Sequence, residues 1–161
     1  MTYLTTDLCD AHEDVVRVVE PMFTSFGGKQ AFHGRIATLR VDDDNSYVRN
    51  KLETQGDGSV LVIDGGGSVR RALVGDQLAS LGLKNGWAGI VVNGCIRDSR
   101  AIASMDIGVF AIDTHPMKTL KKNVGEADIT VSFGNADFVP GEWIYADEDG
   151  VIVSRLPIHK T

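Results

Sequence analysis

A chain of 161 residues suits one domain with a sizeable core. Its hydrophobic fraction of 43% and charged fraction of 24% are those of an ordinary globular chain, and a net charge of −6 argues against a nucleic-acid-binding face, which needs clustered Lys and Arg. No run of about 18 apolar residues is present to cross a membrane, Met1 to Asp10 lacks the basic start of a secretory signal, and Cys9 and Cys95 form no CxxC pair; the expectation is a cytoplasmic protein with reduced thiols and neither a disulfide nor a zinc framework.

Residues 6–20 read as a helix, with Leu8, Val15, Val16 and Val19 roughly on one face and Pro21 ending it. Phe26-Gly27-Gly28 reads as a turn. Residues 34–41 alternate Ile36, Thr38 and Arg40 with Ala37, Leu39 and Val41, which predicts a strand. Asp42-Asp43-Asp44-Asn45 breaks it and can cap a helix from about Ser46 to Glu53. The apolar run at 59–63 is that of a strand buried on both faces, and Asp64-Gly65-Gly66-Gly67 follows it at once. A second helix is predicted from near Gly75-Asp76 to Asn85-Gly86. A second buried strand is predicted over 89–93, a short helix containing Ala101, Ile102 and Met105 after Arg97-Asp98, and a further strand over 108–112. The last third reads as short strands at 129–133, 143–146 and 150–153. With no repeat and no linker, this order predicts a single α/β domain over 1–161, its helices flanking a central sheet.

Three short segments carry candidate chemistry. Asp64-Gly65-Gly66-Gly67-Ser68 is neither GxGxxG nor a P-loop, so a tight turn or the wall of a nearby site outweighs a nucleotide or methyl-donor role. At Gly75-Asp76-Gln77-Leu78, Asp76 reads either as a helix N-cap or as part of a carboxylate cradle formed with the open N–H groups of Gln77 and Leu78. Gly94-Cys95-Ile96-Arg97-Asp98 follows a buried strand, where α/β sheets bind ligands. Arg97 can hold a carboxylate or enolate oxygen with its planar fork, and Asp98 a hard divalent cation completed by water; the plain alternative is an adjacent ion pair. His12, His33, His115 and His159 show no ligand spacing, Cys95 reads as a small buried hydrophobe, and Lys118, Lys121 and Lys122 as a solvated basic run.

Together these segments resemble the regulator of ribonuclease activity A family nearly end to end. The resemblance runs through Asp7-Leu8-Cys9-Asp10, Val19-Glu20-Pro21-Met22-Phe23, Phe26-Gly27-Gly28, the stretch from Val62 to Leu73, Tyr145-Ala146-Asp147 and Gly150-Val151-Ile152. It implies a compact swivelling β/β/α domain assembled as a homotrimer or hexamer. One branch of the family binds ribonuclease E and lowers its activity without cutting RNA. The other consists of class II aldolases for 4-hydroxy-4-methyl-2-oxoglutarate and 4-carboxy-4-hydroxy-2-oxoadipate, which also decarboxylate oxaloacetate. The aldolase signature is Asp, twenty residues, then Arg-Asp, and Asp76 with Arg97-Asp98 matches it. The regulator branch can lack the second acid, so Asp98 favours a working site, although overall similarity leans towards the regulators.

The resemblance therefore implies Mg²⁺ or Mn²⁺ at Asp98, the substrate carboxylate on the backbone of Gly75, Asp76, Gln77 and Leu78, Arg97 stabilising the enolate, and Asp76 relaying the proton of the 4-hydroxyl through water. It also implies an acid near the C-terminus of a neighbouring subunit, for which Asp147, Glu148 and Asp149 are the counterparts on offer. The alternative is a protein regulator of ribonuclease E that has no catalytic role.

Overall fold

The computed structural model describes residues 3–159. Along the chain run α1 (Thr5–Ala11), β1 (Val16–Val18), β2 (Thr24–Ser25), β3 (Phe32–Arg40), α2 (Ser46–Leu52), β4 (Val60–Val74), α3 (Asp76–Lys84) and β5 (Gly89–Ile96). They are followed by α4 (Ser99–Ile102), β6 (Gly108–Thr114), β7 (Glu126–Ala127), β8 (Val131–Phe133), β9 (Ala136–Phe138), β10 (Trp143–Asp147) and β11 (Gly150–Ser154). The architecture is α/β, built on one mixed sheet in the order β1-β11-β10-β3-β4-β5-β6-β2, with β7 added to β3.

The apolar runs make the middle of this sheet. β3, β4, β5 and β6 are parallel, in a register that sets Ile36 beside Val60, Leu61 beside Ile90 and Ile90 beside Val109. One face is covered by the helices, through Leu52, Leu78 and Ile102. The other packs against the β8–β9 hairpin, through Val131 and Phe138. This explains runs with no polar alternation: both faces are dry, and the crossovers α2, α3 and α4 provide one of the covers. Gly89 and Gly108, which open β5 and β6, flank the Phe32 ring so closely that a Cβ on either would enter it. The ring meets Phe110 edge-on at 5.2 Å.

The first third departs from the helix expected over 6–20. The helix stops at Ala11, and Val16–Val18 pairs antiparallel with β11 at the sheet edge. Two pairs of β-branched valines, Val15-Val16 and Val18-Val19, suit an extended ribbon better than a helix, and a free strand edge was available to pair with them. Asp64-Gly65-Gly66-Gly67 is not the end of its strand either. Gly66 and Gly67 adopt φ of +66° and +72°, and β4 bulges there before pairing with β5 again, Ser68 opposite Gly94 and Val74 opposite Ile96.

Candidate active site

That late re-pairing builds the site. Val74 and Ile96 lie side by side at the carboxyl ends of β4 and β5, and the Arg97 N–H donates to the Val74 carbonyl at 2.9 Å. Gly75-Asp76 and Arg97-Asp98 therefore leave adjacent parallel strands at the same point. The twenty residues between Asp76 and Arg97 are the rest of α3, its return loop and β5, the length of one crossover. A spacing that reads as a motif in the sequence is thus the length of a helical crossover between two adjacent parallel strands.

The N-cap of α3 is Gly75, in extended backbone and with no side-chain cap, so Asp76 is the first helical residue rather than the cap. The cap comes from across the cleft: the Asp76 N–H donates to Oδ2 of Asp98 at 3.1 Å. Asp98 occupies the left-handed region, with φ 58° and ψ 37°, at the start of α4. The same Oδ2 lies 4.0 Å from Nε of Arg97, whose Nη1 donates to the Pro116 carbonyl at 3.4 Å; both side chains are 39% exposed. In the first turn of α3, the N–H groups of Gln77 and Leu78 have no carbonyl one turn back to bond to.

Together these residues line a cleft of about 150 Å³, whose other wall holds Asn45, Arg49, Lys118, Thr119 and Lys121. Sequence reasoning placed no site residue there. Lys118 and Lys121 are exposed, as a solvated run should be, but they stand on the rim. Nζ of Lys121 and the Thr119 hydroxyl both donate to Oδ1 of Asn45 at 2.9 Å. This wall is held by Asp44, which accepts from the N–H and hydroxyl of Ser46 and from the N–H groups of Lys122 and Val124. Burial pushes the Asp44 carboxyl up, yet these four hydrogen bonds outweigh it and hold its pKa at about 2. The Asp42–Asn45 cluster does begin a helix, as expected; the additional grip on 122–124 has no local signal. Four cations, Arg49, Arg97, Lys118 and Lys121, face two acids, Asp76 and Asp98, so the cleft favours anions.

Among the described residues no three His, Cys, Asp or Glu side chains gather as a metal cage. The donors present are carboxylate oxygens, and Oδ1 of Asp98 is not engaged by the contacts that hold Oδ2. That set fits a hard divalent cation that keeps most of its waters. It does not fit structural zinc.

The three C-terminal acids divide. Asp147 is 3% exposed and committed within the chain: Oδ2 accepts the Thr5 N–H and Oδ1 the Thr5 hydroxyl, both at 2.7 Å. Glu148 and Asp149 are exposed on the β10–β11 turn, beside a hollow lined by Met22, Phe23 and Phe110, and away from the Arg97 cleft. Two of the scattered histidines meet elsewhere. The rings of His33 and His159 are 4.6 Å apart, and the Tyr145 hydroxyl lies 2.6 Å from Nδ1 of His159. Cys95 is buried, as expected, and burial pushes its thiol up, with Asp113 adding to the effect.

The family model described as RraA-like, Aldolase/RraA, matches residues 5–153. A protein of Aromatoleum aromaticum named "Putative 4-hydroxy-4-methyl-2-oxoglutarate aldolase" is 62% identical over 155 residues, covering 96% of this chain and 98% of its own. The structure of the RNA-processing inhibitor RraA from Thermus thermophilis superposes with a TM-score of 0.94 at 41% identity, over 98% of this chain and 95% of that one. A Geobacillus kaustophilus structure, named as an S-adenosylmethionine: 2-dimethylmenaquinone methyltransferase, reaches a TM-score of 0.96 at 47% identity, with 99% of both chains covered.

Proposed function

The chain belongs to the RraA-like, Aldolase/RraA family, and from that premise we propose that it is a divalent-metal-dependent class II aldolase acting on 4-hydroxy-4-methyl-2-oxoglutarate or 4-carboxy-4-hydroxy-2-oxoadipate, with oxaloacetate decarboxylation as a second reaction. The observation that carries this reading is the meeting of Arg97 and Asp98 with the open N-terminus of α3 in one anion-favouring cleft. Asp98 would hold Mg²⁺ or Mn²⁺, largely through water, and the bound ion would supply Lewis acidity to the keto and carboxylate oxygens of the 2-oxo acid.

The protein's own groups do the rest. The N–H groups of Gln77 and Leu78, just past the turn that Gly75 and Asp76 make into α3, receive the C1 carboxylate. The Asp76 carboxylate takes the proton of the 4-hydroxyl through a water. As that oxygen becomes a ketone, the C3–C4 bond breaks and its electron pair enters the enolate of pyruvate, whose charge Arg97 balances. Protonation at C3 then gives pyruvate. Oxaloacetate suits the same groups, because loss of CO₂ leaves the same enolate. The far carboxylate of 4-hydroxy-4-methyl-2-oxoglutarate, or the two of 4-carboxy-4-hydroxy-2-oxoadipate, would meet the rim of Arg49, Lys118 and Lys121. The reading includes a homotrimer or hexamer in the cytoplasm, with Glu148 or Asp149 of a neighbouring subunit completing the cleft.

A second reading, a regulator that binds ribonuclease E, draws support from the 41% identical RNA-processing inhibitor. The two are separated by a coupled pyruvate assay beside a ribonuclease E inhibition assay. An aldolase releases two pyruvates per 4-hydroxy-4-methyl-2-oxoglutarate consumed. A protein that inhibits ribonuclease E and releases no pyruvate from either this substrate or oxaloacetate is a regulator.

A further inference from the structure

Gly75 brings no side chain to the N-cap of α3, a position that glycine shares with Ser, Thr, Asp and Asn, whose side chains accept one of the free N–H groups. The extended backbone here, φ −117° and ψ −169°, is open to any L-residue, so conformation does not demand glycine. Space does. A Cβ at 75 would stand 2.8 Å from Oδ2 of Asp98 and 3.5 Å from Cγ of Arg97. None of the N-cap residues Leu4, Asn45, Gly75 and Asp98 caps its own helix through its side chain, but at 75 a side chain would also displace the Asp98 carboxylate. That carboxylate itself fills the vacancy by accepting the Asp76 N–H. Asp98 does so from a left-handed backbone, which a non-glycine residue adopts at an energetic cost and keeps only where its surroundings hold it.

We infer that Gly75 is a positioning residue for the metal ligand. By leaving room at the start of α3, it lets the helix N–H fix one oxygen of Asp98 and presents the other, Oδ1, to the cation. An outer contact of this kind restrains a carboxylate before metal arrives, as hydrogen bonds behind metal ligands commonly do. The inference rests on the proposed metal-dependent reading for its second half only; the helix cap exists without metal.

The test uses the full chain and three variants: Gly75→Ser, Asp98→Ala and the double variant. The hydroxyl introduced by Gly75→Ser supplies a local cap while the new Cβ evicts Oδ2. In metal-free thermal melts, Gly75→Ser leaves Tm near that of the parent. Asp98→Ala lowers Tm by about 2–4 °C, as loss of a cap should in a chain of this size, and Gly75→Ser added to it restores that loss. Equal effects of Gly75→Ser with and without Asp98 overturn the cap. Mn²⁺ titration by calorimetry, with no substrate present, then reads the positioning. Gly75→Ser weakens Mn²⁺ at least about tenfold with Tm preserved, and Asp98→Ala removes binding. Gly75→Ser that binds Mn²⁺ like the parent overturns the positioning role and leaves the metal site standing. A parent protein that binds no Mn²⁺ overturns the metal reading and with it the positioning role, while the melts still decide the cap.

Discussion

Asp44 and Val124, 80 residues apart, are joined by a hydrogen bond of 3.1 Å from the Val124 N–H to Oδ2 of Asp44, and this contact fixes one wall of the cleft. The segment it anchors carries Lys118, Thr119 and Lys121. Asp44→Asn keeps the volume but turns an NH₂ towards N–H donors that need an acceptor. The expected loss is about 2–3 kcal/mol in chemical denaturation, the cost of a buried network left partly unsatisfied. A loss below roughly 0.5 kcal/mol, the size of an ordinary surface change, contradicts the role given to this carboxylate.

Acid should destabilise the fold in two separate windows. The pKa of His33 is lowered from 6.5, first by burial and then by the neighbouring His159 and Lys29. The unfolded chain thus takes up a proton that the folded chain refuses, and stability falls as pH drops below about 6.5. Asp44 titrates at about 2 when folded against 3.8 when unfolded. Its contribution, on the order of 2 kcal/mol, is complete above pH 3.8 and lost as pH falls towards 2. Melting curves from pH 8 to 3 should show both declines, and His33→Phe should remove only the first. An unchanged slope between pH 7 and 5 in that variant contradicts the assignment.

Arg97 and Asp98 should separate catalysis from regulation. Arg97→Ala removes a contact strongest in the transition state, at about 2.7–4 kcal/mol, or roughly a hundredfold to a thousandfold in kcat/KM. Asp98→Ala should abolish metal dependence and nearly all turnover. Neither change should weaken ribonuclease E inhibition, if the protein inhibits at all, because binding through a broad outer surface does not pass through the cleft. Kinetics of Arg97→Ala within a factor of about three of the parent would remove Arg97 from the chemistry.

Much of this site was legible because its spacing is set by one crossover. Gly75 and Asn85-Gly86 bracket α3, and the apolar runs at 60–63 and 89–93 mark the two strands that carry Asp76, Arg97 and Asp98 to one point. The 6–20 helix failed because helical spacing can be counted through valines whose branched side chains favour strands, and the pairing that decides the matter, Val16 with Ser154, is distant in sequence. The three glycines after Asp64 signal a turn but do not reveal that the strand resumes beyond it. What had no sequence signal at all was long-range and polar: Asp98 capping α3, Asp147 capping the start of α1, and Asp44 holding the lysine wall.

The C-terminal acids give a test of assembly. Asp147→Asn should cost stability, about 1–3 kcal/mol, by weakening a buried carboxylate bound twice by Thr5. If a neighbouring subunit completes the cleft, Glu148→Gln or Asp149→Asn should instead lower kcat with the fold intact, and one of them should do so by roughly tenfold or more. Light scattering should find a closed ring of three or six chains. Full activity in both variants, or an active protein that scatters as a single 17.4 kDa chain, contradicts the shared site.

The most direct test of the central claim is the rate of pyruvate release from 4-hydroxy-4-methyl-2-oxoglutarate by protein stripped with EDTA, before and after Mg²⁺ or Mn²⁺ is restored. The stripped protein should release no pyruvate and regain full turnover on return of the metal. Release that persists in EDTA and is trapped by borohydride would mean a lysine Schiff base, and no release at saturating Mg²⁺ would mean no aldolase; either result contradicts the account.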